Sequence, residues 1–149
     1  MELIVHPTIQ QKKEISYNHI LKLNENLDIY VGNEHSREAE HFNYIIQLCN
    51  ENEYYPQLSY KPIDILTLKF NDIRTNDILK HRDIIKEFID KCSGTLLIHC
   101  GEGISRSPSI LIMYLIYCYN YKYMDAYNFV STKRFIKPNI GFVKQLRSI

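Results

Sequence analysis

The chain has 149 residues, 45% of them hydrophobic and 23% charged, which fits one ordinary globular domain and leaves little room for a second. A formal net charge of +1 excludes a bulk electrostatic pull toward nucleic acid or a membrane surface, so attraction for an anionic substrate must come from a local site. The four cysteines, at positions 49, 92, 100 and 118, form no C-x-x-C pair and no Cys/His set with zinc spacing. No metal and no cofactor is therefore expected, and free thiols in a reducing cytoplasmic or nuclear setting are the default.

Residues 1–14 read as an N-terminal arm, with no basic segment leading into an apolar core as a signal peptide requires, and residues 15–149 read as the folded domain. Asn18 to Leu23 and Leu27 to Val31 are predicted strands around the turn Asn24-Glu25-Asn26, with Gly32 ending the second. Ser36 to His41 suits a short helix. Tyr44 to Cys49 is strand-like, 50–62 is a polar, aromatic loop, and Ile63 to Leu68 alternates as a strand does. Asp77 suits the cap of a helix reaching Asp90, with Ile78, Leu79, Ile84, Ile85, Phe88 and Ile89 on one face. Gly94 ends that unit. Thr95 to His99 is a short, continuously apolar strand of the kind found in a sheet centre. Arg106 to Tyr119 is a helix that tolerates Pro108 in its first turn. It is apolar nearly all round and so should be buried. Its longest apolar run, Ile110 to Tyr119, is about half of what a membrane span needs. Helices near 124–133 and 139–147 complete an α/β domain with a central mixed sheet flanked by helices.

The segment His99-Cys100-Gly101-Glu102-Gly103-Ile104-Ser105-Arg106-Ser107 lies between an apolar strand and a buried helix. Such a turn aims successive N–H groups at one point before a helix N-terminus, which suits a tetrahedral phosphate. Gly101 and Gly103 would let the backbone curl without a Cβ penalty. Arg106 would hold two phosphate oxygens in a planar fork. Cys100, at the base of the cradle, would be held as the thiolate by the same N–H groups, and the thiolate is the form that attacks phosphorus. Singly, a cysteine after a strand is a small buried hydrophobe and an arginine at a helix start is a solvated charge. The joint spacing, with two glycines between, is what distinguishes the site.

This text, HCGEGISRSP, resembles the signature loop of the cysteine-dependent protein tyrosine phosphatases, and the dual-specificity branch in particular, including the small enzymes related to the poxvirus H1 phosphatase. Tyr30-Val31-Gly32-Asn33 resembles that branch's early strand-and-glycine segment, and Lys137-Pro138-Asn139-Ile140-Gly141-Phe142 resembles the start of its final helix. The resemblance covers roughly residues 15 to 147. It implies a phosphatase that acts on phosphotyrosine and phosphoserine or phosphothreonine of proteins through a cysteinyl-phosphate. Cys100, Arg106, Asp72 and Ser107 would be catalytic, with Gly101 to Arg106 cradling the substrate phosphate. Asp72 stands where the family's general acid does, 28 residues before Cys100 (100 − 72). Asp77 is the competitor, and its place before an apolar helix suits a cap. Ser107 would hydrogen-bond the Cys100 sulphur and help it leave. His99 is expected as a hydrogen-bonded core residue that orients the loop. Arg134 would help bind a second anionic group, or would be a cation at a helix C-terminus.

Two other readings differ in class. A phospho-binding pseudophosphatase would lack the nucleophile or the arginine, and both are present. A phosphatase of the same chemistry could act on an inositol phospholipid or an RNA 5′-triphosphate. Lipid-directed relatives tend to carry lysines in the loop where this chain has Glu102, and RNA-directed ones resemble H-C-x-x-G-x-N-R-T-G where it has Ser105-Arg106-Ser107-Pro108. Phosphorylated proteins are therefore the expected partners, with neither nucleic acid nor membrane, and oligomeric state is unreadable. Finally, Gln47-Leu48-Cys49 resembles a stretch of the phosphatase-and-tensin lipid phosphatases in which the cysteine pairs with the nucleophile. A Cys49–Cys100 disulfide and an inert, buried Cys49 are the two readings.

Overall fold

A computed structural model describes residues 14–149, and the expected N-terminal arm, up to residue 13, lies outside them. Five strands form one sheet: β1 (Tyr17–Leu23), β2 (Leu27–Gly32), β3 (Tyr44–Cys49), β4 (Asp64–Lys69) and β5 (Gly94–His99). Their spatial order is β1-β2-β5-β3-β4. β1 and β2 run antiparallel, and the other pairs run parallel, so the sheet is mixed as expected. Asn24 and Glu25, with φ of 52° and 64°, make the tight β1–β2 turn, whose left-handed pair matches the twist of the flanking strands.

Four α-helices accompany the strands: α1 (Arg82–Asp90) between β4 and β5, then α2 (Arg106–Tyr119), α3 (Tyr123–Ser131) and α4 (Ile140–Arg147) after β5. α2 is buried continuously from Arg106 to Ile116, which explains why its sequence is apolar on every side. The main core joins α2 to Ile29, Val31, Ile46, Leu48, Leu96 and Ile98 of the central strands. A smaller cluster of Phe42, Ile45 and Leu97 lies apart from it, with Leu58 and Tyr60 of the 50–62 loop packed against it. β5, in the middle, is buried from Leu96 to His99, and Cys100 follows its last residue.

Three expectations are corrected. The short helix of Ser36 to His41 is a 3-10 turn over Glu34–Glu38, because the Asn33 side chain accepts from the His35 N–H and starts the turn earlier. Asp77 does cap, accepting from the Leu79 N–H at 3.0 Å, but it opens a second 3-10 turn (Leu79–His81) and the α-helix begins only at Arg82. Ile84 leaves the expected apolar face and is 44% exposed, since α1 is short and packs through Ile85, Phe88 and Ile89. Among the described residues no helix is long and apolar enough to cross a membrane.

Candidate active site

Residues 100–105 turn from the end of β5 into the first turn of α2. Cys100 is 2% exposed. Its Sγ lies 3.2 Å from Ser107 Oγ, accepts from the Gly103 N–H at 3.2 Å and meets the Ser107 N–H at 3.5 Å. Converging donors at a helix N-terminus are what a sulphur anion needs. No described residue accepts from the N–H groups of Glu102, Ile104 or Ser105, which leaves them free to face an oxyanion. Glu102 itself is exposed, and Ile104 is half-buried with its carbonyl accepting from the Lys137 N–H at 2.8 Å.

Gly103 has φ +73°, and a Cβ there would meet the Gly32 carbonyl at 2.5 Å, so the loop needs glycine at this position both for conformation and for space. Gly101 differs from the expectation. Its φ is not left-handed, and a Cβ would make only an ordinary 3.5 Å contact, with Arg106 Nη2.

Arg106 is 8% exposed and its orientation is set by two neutral acceptors. Nη1 donates to Asn50 Oδ1 at 3.0 Å and to the Phe70 carbonyl at 3.1 Å. That arrangement uses up Nη1 and leaves the Nε–Nη2 edge without an acceptor among the described residues. This is the edge that forks two oxygens of a phosphate. Asn50 and Phe70 went unnoticed in the sequence, because a side chain and a carbonyl in irregular loops carry no periodic signal.

Asp72 lies on the exposed loop after β4. Its Oδ1 accepts from Ser105 Oγ at 2.8 Å and from Asn139 Nδ2 at 2.7 Å, so the carboxyl is tied directly to the turn that carries Arg106. The loop is also fastened from behind. Gln145 of α4 accepts from the Ile78 N–H at 2.8 Å and donates to the Asn76 carbonyl at 2.7 Å. Gly141 sits so close that a Cβ would lie 1.9 Å from the Arg74 carbonyl oxygen. Asp77, the competing acid, spends its Oδ1 on the cap.

Arg134 is placed differently from the first of its two expected roles. It is 7% exposed. Nε donates to the Gly103 carbonyl at 2.8 Å, Nη2 to the Glu102 carbonyl at 3.0 Å, and Nη1 to Ser16 Oγ and Asn18 Oδ1 at 3.1 and 3.0 Å. Those contacts staple the turn to β1 and leave little of the guanidinium for a second anion. Burial pulls the Arg134 pKa below the usual arginine range, and the Cys100 sulphur opposes that shift. His99 is buried as expected but not hydrogen-bonded: both ring nitrogens lack partners among the described residues, and the ring packs edge-on against Tyr55 at 5.0 Å. Burial therefore pushes its pKa down to about 3, and it stays neutral.

The arrangement as a whole offers a buried sulphur ringed by donors, a free guanidinium fork and a carboxyl at the rim, all built on the end of one central strand. Comparison with known proteins bears on the chain as a whole. The family model described as "Dual specificity phosphatase, catalytic domain" matches residues 29–149. The chain is 42% identical over 86 residues to serine/threonine/tyrosine-interacting protein A of Xenopus laevis, a stretch that covers 55% of this chain and 39% of that one. The chain thus spans less than half the length of that relative. It is 35% identical over 133 residues to the 123R protein of Invertebrate iridescent virus 6, covering 84% of this chain and 87% of the viral one. Among solved structures, the human tyrosine phosphatase-like serine/threonine/tyrosine-interacting protein superposes with a TM-score of 0.75 at 28% identity, over 89% of this chain and 93% of that chain. By sequence, fold and the residues at the end of β5, the chain belongs to the dual specificity phosphatase catalytic-domain family.

Proposed function

We propose that residues 15–149 form a catalytic unit that hydrolyses phosphate monoesters on phosphotyrosine and on phosphoserine or phosphothreonine of proteins, in a reducing compartment of the cell. One observation carries this reading: three donors meet the Cys100 sulphur while the Nε–Nη2 edge of Arg106 is left open beside it. In the first step the Cys100 thiolate attacks phosphorus in line. The P–S bond forms, the ester P–O bond breaks, and Asp72 gives its proton to the leaving oxygen. The loop N–H groups and Arg106 hold the three equatorial oxygens, where negative charge concentrates. In the second step water attacks the cysteinyl-phosphate and passes a proton to the Asp72 carboxylate. The P–S bond breaks, and Ser107 Oγ donates a hydrogen bond to the departing sulphur. We assign Arg134 a positioning role, holding the carbonyls of Glu102 and Gly103 so that the Gly103 and Ile104 N–H groups of the same two peptide units keep their aim.

The test is turnover of p-nitrophenyl phosphate in EDTA, with inhibition by vanadate. Cys100→Ser should remove activity by several orders of magnitude in a folded protein, and retained turnover would refute the mechanism. Phosphotyrosine and phosphothreonine peptides assayed beside an inositol phospholipid and an RNA 5′-triphosphate decide the substrate class. A second reading draws on the relatives that are named as interacting proteins: binding of phosphoproteins without turnover. A wild-type protein that binds phosphopeptides but leaves them uncleaved would establish it.

A further inference from the structure

A cavity of about 650 Å³ opens beneath the loop between β3 and β4, lined in part by Arg37, Gln47, Tyr55, Tyr60, Lys61 and Ile65. Arg37, in the first 3-10 turn, is 6% exposed. Its Nη1 donates to the Pro56 carbonyl at 3.0 Å and its guanidinium carbon stands 4.9 Å from the centre of the Tyr55 ring. No carboxylate among the described residues pairs with it. Its buried Nε has no acceptor among them either. Gln47 presents the opposite deficiency on the same cavity: Nε2 donates to Thr67 Oγ1 at 3.0 Å, while the buried Oε1 has no donor.

A buried charge without a counter-charge is costly, and so is a buried acceptor without a donor. Native structures keep such groups where something fills them. Burial pulls the Arg37 pKa below the usual arginine range, and Tyr55, Tyr60 and the Glu38 carboxylate oppose that shift without pairing with the guanidinium. The Nε–Nη2 edge of a guanidinium forks a carboxylate in two parallel hydrogen bonds. Lys61 adds a second cation to the lining. The missing donor for Gln47 is what a peptide N–H supplies and what a free oxyanion largely lacks. The tyrosine and proline walls suit a chain segment laid over them.

We propose that this cavity is a binding site for an acidic peptide segment, with a Glu or Asp carboxylate forked by Arg37 and a peptide N–H donating to Gln47 Oε1. The site is separate from the Cys100 cradle but adjoins it. Arg37 and Tyr55 also line a neighbouring cavity of about 350 Å³ together with Glu34, whose N–H bonds the Gly101 carbonyl at 3.0 Å. Tyr55 in turn packs on His99, the residue before Cys100. A partner carrying an acidic stretch would thereby be held next to the phosphate cradle.

The Arg37 Nε–H resonance of the ¹⁵N-labelled full chain reports on the site directly and needs no variant. It is followed during titration with three probes: acetyl-Gly-Glu-Gly-amide, its glutamine counterpart, and inorganic phosphate. The expected result is a saturable shift with the glutamate peptide and binding at least tenfold weaker with the glutamine peptide. The shift should persist in Arg106→Ala, whose phosphate cradle is disabled, and binding should weaken several-fold in Lys61→Ala. No shift up to millimolar peptide, or equal shifts with both peptides, would mean that water fills the cavity and would overturn the proposal. A phosphate response as strong as the glutamate response would overturn the peptide assignment.

Discussion

Gly141→Ala tests whether the carboxyl of Asp72 is placed by α4. The added methyl would lie 1.9 Å from the Arg74 carbonyl oxygen, whereas ordinary contact begins at 3.4 Å. The loop must therefore retreat by about 1.5 Å, the difference of those two distances. Arg74 is two residues from Asp72, so a retreat of that size would break the 2.8 and 2.7 Å hydrogen bonds from Ser105 and Asn139. Displacing a catalytic group by about 1 Å costs about 10²-fold, within the span of about 10² to 10⁴ that a positioned acid contributes. Crowding would also cost about 1–3 kcal/mol of stability, offset in part by the better helix propensity of alanine. The assay compares kcat for phenyl phosphate, whose leaving group needs a proton, with kcat for p-nitrophenyl phosphate, whose leaving group needs one far less. The ratio should fall by about tenfold or more, while vanadate affinity stays as in wild type because Cys100, Arg106 and Ser107 are untouched. An unchanged ratio in a folded variant would refute the reasoning, and weakened vanadate binding would show that the substitution reaches the cradle instead.

Asp72→Asn should lower kcat about 10²- to 10⁴-fold and flatten the basic limb of its pH profile, whereas Asp77→Ala should cost about 1 kcal/mol of stability and little activity; the reverse pattern in kinetics and denaturation would reassign the acid. His99 titrates near 6.5 when unfolded and about 3 when folded, so the unfolded chain binds the extra proton and stability falls as pH drops below 6.5. Urea unfolding should therefore lose about 2 kcal/mol between pH 7 and pH 5 from this residue alone. His99→Gln should remove most of that slope, the remainder coming from His81, which burial shifts the same way. Cys49 ends β3, two residues beyond the Gln47–His99 pairing, which brings it near the start of the signature loop, and burial pushes its thiol pKa up. Mild peroxide should yield a Cys49–Cys100 disulfide by mass spectrometry, with activity restored by dithiothreitol. Equal recovery of Cys49→Ser would leave Cys49 a core residue.

Much of this fold is written in local pattern. The strands before and after Asn24-Glu25, the strand at Tyr44–Cys49 and the helix at Arg106–Tyr119 stand where alternation, turn residues and apolar runs place them. Helix starts were less legible, because Asn33 and Gln145 reach across the chain or along it to tie N–H groups that periodicity alone assigns to helices. The signature segment was readable for a related reason. Cys100, Gly103, Arg106 and Ser107 are close in sequence, so one turn between a strand and a helix suffices to bring them together. Tertiary structure alone decided what surrounds them. Asn50 and Phe70 meet Arg106 from two separate loops, Asn139 and Gln145 fasten a loop some seventy residues upstream, and Arg134 is drawn into four hydrogen bonds with the turn, Ser16 and β1. The physical reason is that a spacing pattern encodes the direction a side chain takes from its own element, whereas the partner it meets there depends on how separate elements pack.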